Sequence, residues 1–216
     1  MEFNEIPRIK ESSKMLDAYY ELEAQLMEIN RIIPFDNSPK TYSIRLYQIL
    51  QSACAQIENL MRIICDYANL EYKTPKKPNG DFPTFFKLLN KDNVLSLQVV
   101  AVRQSDNEAI IPFAILKTKK TPFWWQEYNE TKHTLPEGFK SGTLENTKYA
   151  MAALYALHCT IFYWNNHYGD SVLEKTNWKH KSSVSIDMYS QIHRDKEDYR
   201  PRSNSFYCIS HTLINE

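Results

Sequence analysis

Residues 40–72 leave this chain few choices. Ile44, Tyr47, Leu50, Cys54, Ile57, Met61, Ile64 and Cys65 recur at helical spacing, and Leu46, Ile49, Ala53, Leu60 and Ile63 widen the stripe. It is the longest uninterrupted helical pattern in the sequence. A helix apolar over so much of its circumference sits centrally in a bundle or at a subunit interface. A second firm helix follows Thr143, a suitable N-cap with Glu145 in the first turn. Leu144, Met151, Leu154, Leu157, His158, Ile161 and Phe162 make its stripe. Ala150, Ala152, Ala153 and Ala156 between them let another helix approach closely. His158 lies on that stripe and reads as a hydrogen-bonded core residue.

Four glycines in 216 residues favour long regular elements over a loop-rich fold. The length suits one domain with a tail, and the expected division is a helical domain over 1–168 and an arm or small hairpin over 169–216. Within the first part, residues 1–12 read as a loose leader. A helix is expected from Ser13 to about Arg31, with Leu16, Tyr19, Tyr20, Ala24, Leu26, Met27 and Ile29 as its apolar content. Asp81 can cap a short helix carrying Phe82, Phe85, Phe86, Leu88 and Leu89. The period then changes, and 94–102 and 109–116, rich in β-branched residues, predict a β-hairpin with Pro112 at an edge. In the tail, Val184, Ile186 and Met188 and the segment 205–213 alternate loosely, as extended chain does.

Charge is balanced, 26 basic against 26 acidic residues, which excludes a strong global field for nucleic acid but not a local basic patch. Met1 opens into a polar segment without an apolar h-region, so no signal peptide is expected. No apolar run approaches the length of a membrane span, so no membrane partner is expected either. Cytoplasm is the expected compartment. Cys54 and Cys65 would lie on one helix about 16 Å apart, too far for a disulfide or a shared metal. No C-x-x-C pair, zinc spacing, phosphate-binding glycine loop or G-x-S-x-G elbow occurs. No metal and no cofactor are therefore expected, and His158, His167 and Glu58 show no ligand spacing.

Spacing suggests chemistry only within Tyr128-Asn129-Glu130-Thr131-Lys132-His133. Pro122 suits the first turn of a helix capped by Thr121, and Pro136 should end it near Thr134. His133, Asn129 and Trp125 are then four and eight apart and expected on one face, with Lys132 alongside. An imidazole beside an amide and an ammonium can act as general acid or base on a phosphate ester. A helix C-terminus also attracts Lys and His simply through its macrodipole. Lys119 and Lys120 close a basic turn ahead of Phe123, Trp124, Trp125 and Tyr128. That run is either solvated or a phosphate contact beside rings that stack bases. Glu58 and Arg62, four apart on the central helix, are either a surface pair or groups facing the His133 site.

The long helix with its internal Glu58 and the segment 124–157 together resemble a HEPN-like domain. The resemblance covers about two thirds of the chain and implies a mainly α, HEPN-like helical bundle that commonly dimerises. The hairpin would be an insertion and the C-terminal arm an addition. Many such domains are metal-independent endoribonucleases; others bind nucleotides or act as non-catalytic scaffolds. Their signature is an Arg, usually followed by Asn, then a His a few residues on. Asn129 and His133 match it, and Tyr128 stands where the Arg belongs. The resemblance implies His133 as acid/base, Asn129 as its orienting partner and Lys132 as the anion contact. Tyr128, Trp125, Arg62, Glu58, Lys119 and Lys120 would line the substrate. A planar guanidinium holds a phosphate in a way an ammonium does not. Lys132 or Arg62 would therefore have to compensate, or the site would be inactive. RNA or a nucleotide is the implied ligand and a homodimer the implied assembly, with a scaffold of the same fold as the alternative.

Overall fold

The stripe in residues 40–72 becomes α2 (Ile44–Tyr67), which packs against all four other helices: α1 (Lys10–Ile32), α3 (Phe82–Leu89), α4 (Phe123–Thr131) and α5 (Leu144–His167). The computed structural model describes residues 10–34, 38–67, 69–90, 100–102, 108–115, 121–134, 136–167 and 207–209. These residues are mainly helical. Leu46, Ile49, Leu50, Ala53, Cys54, Ile57, Leu60, Met61, Ile64 and Cys65 of α2 are all buried. On α5 every residue from Ala150 to His158 is buried, and the alanines let the two helices close on each other. Burial of such side chains stabilises by roughly 1.5–3 kcal/mol each.

Both ends of α2 are set by local chemistry that the apolar stripe does not report. It starts at Ile44, four residues later than expected, because the Ser43 hydroxyl accepts from the Leu46 amide at 3.1 Å. It stops at Tyr67 because Asn69 takes φ 51°. The Asn69 and Leu70 amides then donate back to the Asp66 and Cys65 carbonyls at 3.2 and 2.9 Å, the Schellman pattern. α1 reaches Lys10, ahead of the expected Ser13 start. Its buried face is Leu16, Tyr19, Tyr20, Leu22, Glu23, Leu26 and Ile29, whereas Ala24 is exposed.

The start of α5 is stitched to the start of α2. Thr143 caps α5, accepting from the Asn146 amide at 3.0 Å. The Ser43 amide donates to Gly142, and the Leu144 and Glu145 amides donate to Thr41 and Pro39. Gly142 has no room for a side chain, since a Cβ there would lie 2.5 Å from the backbone N and Cα of Tyr47. Gly142→Ala is therefore expected to destabilise by about 1–3 kcal/mol through forced separation of the helices. Urea unfolding would show it, and a wild-type midpoint would refute the tight approach.

Three-residue strands β1 (Val100–Val102), β2 (Glu108–Ile110) and β3 (Tyr207–Ile209) form an antiparallel sheet in the order β2-β1-β3. Val100 pairs with Ile110 on one side and Ile209 on the other. The third strand comes from the C-terminal arm. Pro112 lies beyond β2, consistent with its missing amide donor. Residues 94–99, 103–107 and 116 of the expected hairpin, residues 117–120, residues 1–9 and all of 168–216 except 207–209 lie outside the described residues.

No helix among the described residues is long and apolar enough to cross a membrane. Cys54 and Cys65 are both buried and free.

Candidate functional site

α4 begins and ends differently from expectation, and both differences move the site. Pro122 occupies the N-cap position (φ −57°, ψ 149°), and its carbonyl accepts the first helical bond from Gln126 at 3.2 Å. Thr121 caps no amide. Its carbonyl and hydroxyl accept from the Gln126 side chain at 2.8 and 3.2 Å. The helix stops at Thr131, three residues before Thr134. There the Thr131 hydroxyl lies 2.7 Å from both the Glu127 carbonyl and the Ser141 hydroxyl. The Thr134 amide and hydroxyl turn back onto the Thr131 carbonyl at 3.0 Å. His133 thus sits in the turn after the helix.

The helical angle separates residues expected on one face. Each step of four residues turns about 40° past a full rotation. Asn129 is therefore displaced from Trp125, and His133 lies past the end of the helix, in the turn that follows it. Lys132 returns close to the line of Trp125. The inward face carries Trp125 and Tyr128, 4% and 9% exposed, with Lys132 half-buried beside them. Asn129 and His133 are exposed.

Trp125 stacks on Phe82 of α3, with ring centroids 3.8 Å apart and planes 13° apart, and a second contact to Tyr128 at 5.4 Å. The ring face that the sequence offered to a base is thus held by Phe82. The Lys132 ammonium lies 5.6 Å from the Tyr128 ring and 6.0 Å from the Trp125 ring, within cation–π range.

Beneath these rings, α2 presents Tyr47, Cys54 and Glu58, seven and four residues apart. The Tyr47 ring packs edge-on to Phe139, and its buried hydroxyl has no hydrogen-bond partner among the described residues. Burial pushes the Tyr128 phenol up to about 12, and Cys54, Tyr47 and Glu58 add to the rise. Burial, then Glu58, also raises the Cys54 thiol well above its ordinary value, with Lys132 opposing. Tyr128 therefore carries a neutral phenol and Cys54 a protonated thiol. Neither can serve as a nucleophile or as a charge for a phosphate near neutral pH. Tyr47 and Cys54 were not singled out from sequence. Their seven-residue spacing was visible, but only tertiary packing brings them near enough to raise the Tyr128 phenol.

Glu58 has a structural partner. Its Oε1 accepts from the Phe82 amide at 3.0 Å, at the first turn of α3. Asp81 caps the same helix, accepting from the Thr84 amide at 3.1 Å and pairing with Lys77. Burial alone would raise the Asp81 carboxyl, but Lys77 and the Thr84 donors outweigh it and hold the group below the usual carboxylate value. Two carboxylates at a helix N-terminus satisfy orphan amides and suit the macrodipole. Glu58→Ala is expected to cost about 0.5–2 kcal/mol of stability. It should leave ligand affinity at His133 unchanged, measured by denaturation and binding on the same preparation. Lost affinity with intact stability would reassign Glu58 to the site.

Arg62, one turn further along α2, is half-buried and donates to the Asn59 side chain at 2.7 Å. Lys119 and Lys120 lie outside the described residues. Asn129, Lys132 and His133 thus gather at the C-terminal end of α4, with Tyr128 and Trp125 directly inside them and Glu58 directed to α3. Among the described residues, no three His, Cys, Asp or Glu side chains gather where a metal ion could be held. Compared with models of known protein families, with curated proteins and with solved structures, the chain has no match.

Proposed function

We propose that this chain is a HEPN-like helical module of the cytoplasm that binds RNA or a nucleotide, without metal, at the C-terminal end of α4. The observation that carries the reading is the exposure of Asn129 and His133 within one turn, with the Lys132 ammonium anchored between them and the buried rings. An imidazole, an amide and a cation offer a phosphate two or three donors without rearranging the core. In this reading the short sheet is an addition to the helical bundle, and a homodimer would bring two His133 imidazoles to one ligand.

Binding is favoured over cleavage. Metal-free RNA cleavage needs a base, an acid and stabilisation of charge on the phosphorus oxygens. A tyrosine supplies no positive charge where the family places its Arg, and burial, which pushes the Tyr128 phenol up to about 12, keeps it neutral near pH 7. The same observation favours a second reading, a scaffold of this fold with no nucleic-acid ligand.

Fluorescence anisotropy with a labelled 12-nucleotide RNA separates the two. Wild type is expected to bind, and His133→Ala to weaken binding about tenfold, the loss of one charge-assisted hydrogen bond. Incubation of both proteins with total RNA is expected to leave it intact. Equal affinity in wild type and variant, or no binding by wild type, removes the RNA reading and leaves the scaffold. Cleavage by wild type that His133→Ala abolishes would make the site an active ribonuclease.

A further inference from the structure

We infer that Tyr128 is a positioning residue, whose ring together with that of Trp125 holds the Lys132 ammonium beside His133 with its charge uncancelled; this rests on the RNA-binding reading above. Lys132 is the C-cap of α4, with helical backbone (φ −59°, ψ −18°), and its amide donates to the Tyr128 carbonyl at 2.9 Å. A helical side chain leans back over the turn before it. Tyr128 is four residues back, and Trp125, seven back, lies within about 20° of the same line. The ammonium accordingly reaches both rings, 5.6 Å from Tyr128 and 6.0 Å from Trp125. The rings themselves are fixed. Trp125 stacks on Phe82 of α3 and touches Tyr128, and both residues are buried.

How the ammonium is held decides what it can do. A carboxylate partner would cancel its charge. A ring face attracts a cation and leaves the net charge in place. Among the described residues no carboxylate lies within ion-pair reach of Lys132. Glu58 is directed to the Phe82 amide. Glu127 and Glu130, the exposed acids of α4, stand about 140° and 160° round the helix from Lys132, on its other side. A lysine also has more rotamer freedom to lose on binding than most side chains. A fixed platform removes part of that loss before a ligand arrives. Tyr128 thus acts through Lys132 and needs no contact of its own with the ligand. The face of its ring does the holding, so its hydroxyl is dispensable.

The test uses the full chain and the labelled 12-nucleotide RNA, with proton NMR of the lysine ε-methylenes. Ring current is expected to place the Lys132 ε-methylene upfield of the other lysines, a signal identified by its loss in Lys132→Gln. Tyr128→Phe should keep that shift and bind the RNA as wild type does. Tyr128→Leu should lose the shift and bind about threefold more weakly, the worth of one cation–π contact. Lys132→Gln should weaken binding about fivefold, and adding Tyr128→Leu to it should weaken binding no further. A wild-type Lys132 signal among those of the other lysines overturns the inference without any variant at position 128. So does a loss of affinity in Tyr128→Phe, or a loss in Tyr128→Leu that adds to that of Lys132→Gln. In each of these cases the binding reading stands if His133→Ala still weakens binding. Failure of wild type to bind the RNA overturns both.

Discussion

Acidification from pH 7 to pH 4 is expected to remove about 3 kcal/mol of stability through His158 alone. Burial drives this imidazole from its ordinary value of 6.5 down to about 3. It is wholly buried in α5, against the ring of Tyr19 at 5.7 Å. The native state therefore holds His158 neutral while the unfolded chain takes up a proton below 6.5. The unfolded state then binds more protons, so stability rises with pH across the window from 3 to 6.5 and falls as pH is lowered through it. The contribution is complete above 6.5. Asp81, held below the usual carboxylate value, acts in the same direction only at lower pH, so the range from 6.5 to 4 isolates the histidine from it. Urea unfolding of wild type and His158→Gln at pH 7 and pH 4 checks it. The variant should lose less stability than wild type between the two by about that amount. Parallel losses would mean that His158 keeps its proton in the fold.

Trp124→Ala is expected to destabilise by about 3–5 kcal/mol, the cost of an emptied aromatic site in a packed core. Trp124 has no exposed surface and touches Phe82, Phe113 and Trp125 edge-on. Its indole N–H donates to the Pro112 carbonyl at 2.6 Å and ties the segment after β2 to α4. Truncation removes the ring contacts and strands that carbonyl. Trp124→Phe keeps most of the ring packing and loses only the hydrogen bond, so about 1–3 kcal/mol is expected. Chemical denaturation of both variants measures the difference. A Trp124→Ala loss below about 1 kcal/mol would show that the aromatic cluster is loosely packed. The two results also bear on function. Any loss of ligand binding in Trp124→Ala would follow unfolding, and RNA assays on this helix need a stability control.

Periodicity by itself determined where the helices run and which sides they bury. α2 and α5 appear where their stripes predict, and Thr143 and Asp81 cap the helices that follow them. Those features are local. They depend on spacing along one helix or on one side chain reaching an amide three residues on. Helix ends were less legible, because Ser43 starts α2, and Asn69 and Thr131 end α2 and α4, through local contacts that an apolar pattern does not encode. The environment of the candidate site was decided only by tertiary packing. Phe82, more than forty residues earlier in the chain, claims the face of Trp125. Tyr47 and Cys54 lie near enough to Tyr128 to add to the rise of its phenol, and the Phe82 amide claims Glu58. A side chain's spacing tells which face of a helix it occupies. Whether that face meets water, a ring or a carboxylate depends on segments distant in sequence, and here that difference leaves Asn129 and His133 outside and Tyr128 within.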